Sequence, residues 1–133
     1  MESTVVEVTT GDSPGVFDLT GRAREFCRGK GDGLLSVFAP HATAGVALIE
    51  MGAGSDTDLM TLVDDILPAH NRWRHSHGSP GHGRDHILPA FVSPSLTIPV
   101  IDGSPALGTW QSIVLVDTNR DNRRRRVRFS FLG

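Results

Sequence analysis

Gly108-Thr-Trp-Gln-Ser-Ile-Val-Leu-Val-Asp117 is the most strand-like stretch of the chain. Its aliphatic and β-branched run is bounded by Gly-Thr on one side and an acidic residue on the other. A polar segment, Thr118 to Arg125, follows, and Val127 to Leu132 returns as a second apolar run. Together they read as a hairpin of two antiparallel strands, and that hairpin sets the fold class. If the strand extends from Leu107 to Val116, Trp110 and Gln111 are neighbours on it and point to opposite faces. Trp110 is then expected to be buried among apolar side chains and Gln111 to face a polar pocket.

Working outward, Ser95-Leu-Thr-Ile-Pro-Val-Ile101 alternates as a strand does. Pro99 has no N–H to give to a ladder, which calls for an edge or a bulge there. Asp102-Gly103 is a turn signal. Upstream, Leu34 to Ala39 and Gly45 to Met51 are apolar runs of strand length, and Thr4 to Thr10, with Val5, Val6 and Val8, is a first strand. The small-residue segment Pro40 to Gly45 bends the chain and presents His41 and Thr43. Gly11 to Gly15 reads as a loop. Two helices are legible. Leu59, Leu62, Val63, Ile66 and Leu67 recur at helical spacing after Ser55, an N-cap candidate with Asp58 three residues on, and Pro68 ends the run. On its solvated face lie Asp64 and Asp65. A shorter helix carries Leu19, Ala23, Phe26 and Cys27, capped by Asp18 or Thr20. Roughly six strands and two or three helices in this order define an α+β fold with a mainly antiparallel sheet. With 133 residues and no linker-like segment, the chain reads as one domain, residues 1–133.

Composition excludes several classes. Charged residues are 21% and the formal net charge is -2, so no global nucleic-acid footprint is present. Cys27 stands alone, which fits a reducing compartment, and neither a membrane span nor a secretory signal is visible. The expected location is cytoplasmic, with no membrane partner. Six arginines fall between Arg120 and Arg128. Alternation along a strand divides them between two faces, so a charged hairpin tip is the preferred reading over nucleic-acid binding. The chain has no Gly-x-Ser-x-Gly and no phosphate-loop motif, and Lys30 is its one lysine.

Chemistry concentrates in Trp73-Arg-His-Ser-His-Gly-Ser-Pro-Gly-His-Gly-Arg-Asp-His86, which holds four of the 6 histidines. His70 lies just upstream and His41 far away. Imidazole is the commonest zinc ligand and titrates nearest neutrality. His75 and His77 share a side if the backbone is extended, and His82 and His86 do so if it is helical, against which two glycines and a proline argue. Two readings stand: a metal site, or a polar loop whose histidines face solvent. Glu50 closes the apolar run Val46 to Glu50, so its carboxylate must be paired, bound to a cation or at the strand's exposed end. With His41, it is the acid/base candidate outside the loop.

These motifs, in order and spacing, resemble the YjbQ family, known for a secondary thiamine-phosphate synthase activity. The resemblance is carried by His41-Ala-Thr-Ala-Gly45 with Ile49-Glu50, by Asp58, by Trp73-Arg-His75, by Asp85-His86-Ile87, and by Ile98-Pro-Val100 with Leu107-Gly-Thr-Trp-Gln111. It implies an α+β half-barrel or sandwich with two or three helices, assembled as a homotrimer. It implies a divalent metal, zinc or magnesium, held by His41, His75 and His86, with Glu50, His41 and Gln111 as catalytic residues. Thr43, Arg84 and Trp110 would bind a phosphorylated or anionic substrate; His77 and His82 have no assigned counterpart. The implied reaction joins a pyrimidine methyl diphosphate to a thiazole phosphate with loss of diphosphate; the alternative is a trimeric metal- or anion-binding protein without catalysis. Leu88 stands where the family has lysine, and Ser93 where it has glycine. Lysine is a natural phosphate binder, so Arg84, Arg72 or an arginine of a neighbouring subunit would have to substitute.

Overall fold

The computed structural model describes residues 1–70 and 73–133; Arg72, proposed above as a substitute cation, lies outside them. Eight strands form two antiparallel sheets among the described residues. The larger has the order β1 (Glu2–Thr9), β8 (Arg124–Leu132), β3 (Gly33–Phe38), β5 (Ser95–Ile101) and β6 (Ser104–Pro105). The smaller has β2 (Gly15–Asp18), β7 (Ser112–Asp117) and β4 (Ala44–Ile49). Leu35, Val37, Ile98, Val127 and Phe129 of the large sheet meet Ala44, Val46, Ile113 and Leu115 of the small one in a single buried cluster. Burying a side chain such as Phe129 contributes about 1.5–3 kcal/mol. The α+β class and its curled antiparallel sheets are as the sequence indicates.

Helix α1 (Thr20–Cys27) closes the sandwich, placing Ala23 and Cys27 in that core. Helix α2 (Ser55–Ile66) lies over the other face of the small sheet, where Val63 and Leu67 meet Val114 and Val116. Two single-turn helices, α3 (His82–Asp85) and α4 (Leu88–Phe91), complete the outer layer, and Leu88 is fully buried there. The Val92–Ser93 backbone passes so close to β4 that a Cβ on Gly45 would collide with the Val92 carbonyl, and the Ser93 carbonyl accepts from Val46 N at 2.7 Å.

Several expectations require correction. β7 and β8 do not form a hairpin. β7 pairs with β2 and β4, β8 with β1 and β3, and the turn between them crosses from one sheet to the other. β7 is buried on both faces, Ile113 and Leu115 against the large sheet and Val114 and Val116 under α2, and a pattern of apolar residues does not say which sheet a strand joins. β7 begins at Ser112, not Leu107. Residues 108–111 form a turn closed by Gln111 N donating to Gly108 O, 3.1 Å, and Gly108 N to the Gln111 side-chain oxygen, 2.8 Å. Trp110 rides on that turn and is 75% exposed, not buried, and Gln111 is also exposed. Gly54, with φ 99°, precedes α2 as its N-cap in place of Ser55. Asp64 and Asp65 are exposed, as expected of a solvated face, and Asp64 in addition accepts from Arg84. The short strand β2 (Gly15–Asp18) begins at Gly15, the last residue of the loop reading.

Candidate metal centre

One end of the sandwich collects the chemistry. The β3–β4 corner brings His41 and Thr43, the segment after α2 brings His75 and His77, α3 brings His82 and its C-cap His86, and the β7–β8 turn brings Asn119 to Asn122. The His segment is pinned at its start, where the Trp73 indole donates to Pro68 O at 2.8 Å and the ring joins the cluster under α2. α3 does form, despite its glycines. His82 N bonds Ser79 O at 3.0 Å and Asp85 N bonds Gly81 O at 3.1 Å. Its last residue is locked from outside: buried Asp85 accepts from the Thr118 hydroxyl at 2.5 Å and from Asn119 Nδ2 at 3.2 Å. Burial pushes the Asp85 carboxyl up, against the opposing pull of Thr118 and Arg84. Gly83 is required for closeness, because a Cβ there would collide with His75 O.

The helical turn puts His82 and His86 on one side, four residues apart. One ring nitrogen from each of His75, His82 and His86 falls within 4.8 Å of the others. The His82 and His86 Nε2 atoms are 3.1 Å apart, and the His75 and His86 rings stack at 3.9 Å between centroids. His75 Nε2 is buried with no hydrogen-bond partner among the described residues. Two nitrogens on a tetrahedral zinc at 2.0–2.1 Å stand about 3.3 Å apart. The His82–His86 spacing is already close to that, and the unpaired His75 nitrogen is the kind of buried polar atom that calls for a ligand. The three residues therefore fit a divalent ion.

His75, His82 and His86 line one wall of a polar cavity of about 440 Å³, whose other walls include His41, Thr43 and Arg125. His41 thus shares the cavity with His75 and His86 but stands outside the ligand cluster. Its Nε2 lies 3.0 Å from Arg126 N and 3.1 Å from Arg126 O, covering the edge of β8 beyond the end of β3, so only Nδ1 is left for the cavity. Arg125 points inward from β8 and is held by Asp117 at 2.6 and 2.9 Å and by the Thr43 hydroxyl at 2.8 Å. Arg84 is buried on the other side of α3, donating to Asp64 at 2.7 Å and to Leu67 O at 3.0 Å. It serves the packing of α2 and does not line the histidine cavity. Glu50 and Gln111 lie at the far end of the small sheet, since Ile49 pairs with Ser112 and Ala44 with Asp117. Six strand residues separate them from His41, about 20 Å at 3.3 Å per residue.

Charge accumulates unfavourably in the cluster. Burial, then the neighbouring His77 and His82, push His75 below the ordinary imidazole range, and burial with His75 and His82 does the same to His86. Burial and Arg125 lower His41. The folded chain then binds fewer protons than the unfolded chain between these lowered values and about 6.5. Stability is therefore lost as pH falls through that window, and the slope vanishes once both states are charged. Thermal unfolding of metal-free protein should show a midpoint that falls from about pH 7 to pH 5. His75→Gln and His86→Gln should each flatten that fall; slopes equal to the parent's would contradict the assignment.

A two-sheet α+β sandwich with helices over the smaller sheet and a three-histidine cluster at one end defines the structural class. The sequence profile described as UPF0047 protein YjbQ-like matches residues 4–133. A UPF0047 protein of Mycobacterium tuberculosis is 58% identical over 132 residues, covering 99% of this chain and 98% of that protein. One from Methanothermobacter thermautotrophicus is 30% identical over 102 residues, 77% of this chain and 70% of its own. A hypothetical protein of Aeropyrum pernix superposes with a TM-score of 0.89 at 32% identity, covering 100% of this chain and 99% of its own. A YbjQ-like protein of unknown function from Sulfolobus solfataricus shares the fold, with a TM-score of 0.92 at 22% identity over 99% of this chain and 96% of its own. The chain belongs to the YjbQ (UPF0047) family. No helix among the described residues is long and apolar enough to cross a membrane.

Proposed function

We propose that the chain is a metal-dependent enzyme whose His75, His82 and His86 hold a divalent ion beside a cavity that takes a small anionic substrate. The observation that carries this reading is the buried His75 Nε2, without a hydrogen-bond partner among the described residues and facing two further imidazoles. Three imidazoles with open space beyond them match the ligand count of a catalytic zinc site, whereas magnesium prefers oxygen. When bound, such an ion supplies Lewis-acid stabilisation of charge on a leaving or attacking oxygen. The chain's own contribution is positional: Thr43, His41 and Arg125 bound the cavity, with the Arg125 charge already paired to Asp117, so that the ion would supply the positive charge that holds an anion. The family resemblance supplies the specific reaction, thiamine phosphate formation from its two phosphorylated precursors. Product should form in proportion to protein and disappear with His86→Ala. No turnover above a heat-killed control would reject catalysis of this reaction.

A second reading, metal or anion binding without chemistry, is favoured by the placement of Glu50 and Gln111 at the far end of the small sheet, about 20 Å along the strand from His41. It predicts saturable zinc binding without product. Either reading is compatible with a homotrimer. The outer face of the large sheet carries Val5, Leu34, Phe38, Ile101 and Leu132, each more than a third exposed, with the outward Arg128 of β8 between Val5 and Phe38, a mixed apolar and basic surface that a second copy could cover. Mass in solution tests the assembly directly.

A further inference from the structure

We propose that Asp121 is a positioning residue for the histidine cluster: its carboxylate fixes His82 as the Nδ1–H tautomer and so leaves the His82 Nε2 lone pair facing His75 and His86. This rests on the metal reading for its purpose but not for its geometry. His82 Nδ1 lies 2.8 Å from Asp121 Oδ2. The same nitrogen is 3.2 Å from Asn119 Nδ2, which would instead require Nδ1 to be an acceptor. The two contacts demand opposite protonation, so only one can be a hydrogen bond. The carboxylate contact is shorter and charge-assisted, and Asn119 Nδ2 has another acceptor in Asp85 Oδ2 at 3.2 Å. Nδ1 therefore carries the proton.

The turn is built to present that carboxylate. Asn119 Oδ1 accepts from Asp121 N at 2.9 Å and from Asn122 N at 3.0 Å, and Asn119 N bonds Asp117 Oδ1 at 2.9 Å. Asp117 is in turn clamped to Arg125. Asp121 Oδ2 also accepts from Ser79 N at 3.3 Å, tying the turn to the His segment. With His82 Nε2 a lone pair, the 3.1 Å contact to His86 Nε2 makes His86 the donor in the metal-free protein. Metal binding must then displace that proton, whereas His82 is already in its ligating form. Carboxylate partners of this kind fix ring orientation and raise ligand basicity, and their loss typically weakens metal affinity about 10–100-fold.

The test uses the full chain with 15N-labelled histidine. In metal-free protein at about pH 9, above the imidazole range, long-range 1H–15N correlations should give His82 as the pure Nδ1–H tautomer and His86 as Nε2–H. In Asp121→Asn, whose amide can donate as well as accept, His82 should become a mixture or Nε2–H. An unchanged His82 tautomer overturns the proposal. Zinc affinity, read by chelator competition, should fall about 10–100-fold in Asp121→Asn and recover in part with Asp121→Glu. In a His82→Ala background, Asp121→Asn should have no further effect. An equal loss in that background means Asp121 merely braces the segment through Ser79, and the proposal fails. If the parent protein binds no zinc, the metal reading falls, while the tautomer comparison still decides the role of Asp121.

Discussion

Arg125→Met or Asp117→Asn alone is expected to cost about 3–5 kcal/mol of unfolding free energy, because each strands a charged group in the interior without its counterpart. Both side chains are 1% exposed and joined by two short hydrogen bonds. Against a total stability of about 5–15 kcal/mol, that is a third or more of what holds the fold. The pair also joins the two sheets: Asp117 ends β7 in the small sheet, Arg125 lies in β8 of the large one, and Thr43 receives the guanidinium from the β3–β4 corner. The damage should therefore extend to the cavity wall that Thr43 and His41 form. Replacing both, as Asp117→Asn with Arg125→Met, should cost clearly less than the sum of the single substitutions, since no charge is left uncompensated. Urea denaturation of the four proteins measures this. Single variants within about 1 kcal/mol of the parent would mean that water reaches the pair and that it behaves as a surface ion pair.

How much of this was legible in the chain depends on whether the signal is local. The apolar spacing from Leu59 to Leu67 marks α2 because helical period is written in consecutive residues, and the alternation from Ser95 to Ile101 marks β5 for the same reason. Pro99 sits in β5 beside only a two-residue neighbour, β6, so the edge position it demanded is available. The failures are non-local. Nothing in the residues of β7 and β8 says that they join different sheets. Extending the strand through Gly108 predicts a packed Trp110, yet Gly108 and Gln111 close a turn. The arginine run hid the start of β8, where Arg124, Arg126 and Arg128 face out and Arg125 faces in. At the site, the clustering of histidines is visible, but the resemblance assigns His82 no counterpart, and its flanking glycines and Pro80 argue against the helical turn that would align it with His86. The turn forms because tertiary partners hold it, Thr118 and Asn119 on Asp85 and Asp121 on His82. The His-x-x-x-His spacing was the one signal that could have chosen it.

The choice between His41 and His82 as the third ligand makes the sharpest remaining prediction. In the set that the family resemblance implies, His41 joins His75 and His86; in the structure His82 clusters with them, with its Nε2 3.1 Å from that of His86. Four-ligand zinc sites are worth about 10–16 kcal/mol, or roughly 3 kcal/mol per ligand. Losing one imidazole should therefore weaken zinc binding by about 100-fold or more. His75→Ala, His82→Ala and His86→Ala are each expected to show that loss in chelator competition at neutral pH. His77→Ala should stay within a few-fold of the parent: its ring is 4.2 Å from that of His75, yet it is exposed and outside the ligand cluster. His41→Ala should fall between, because its Nε2 is engaged by the Arg126 backbone and the ring acts on the cavity instead of on the ion. A full loss with His41→Ala and a small one with His82→Ala would reverse the ranking and require the β3–β4 corner to move inward when metal binds. Affinity in the parent should decline as pH falls, since a protonated imidazole cannot ligate. The lowered values of His75 and His86 shift that decline to more acidic pH than free imidazole would show.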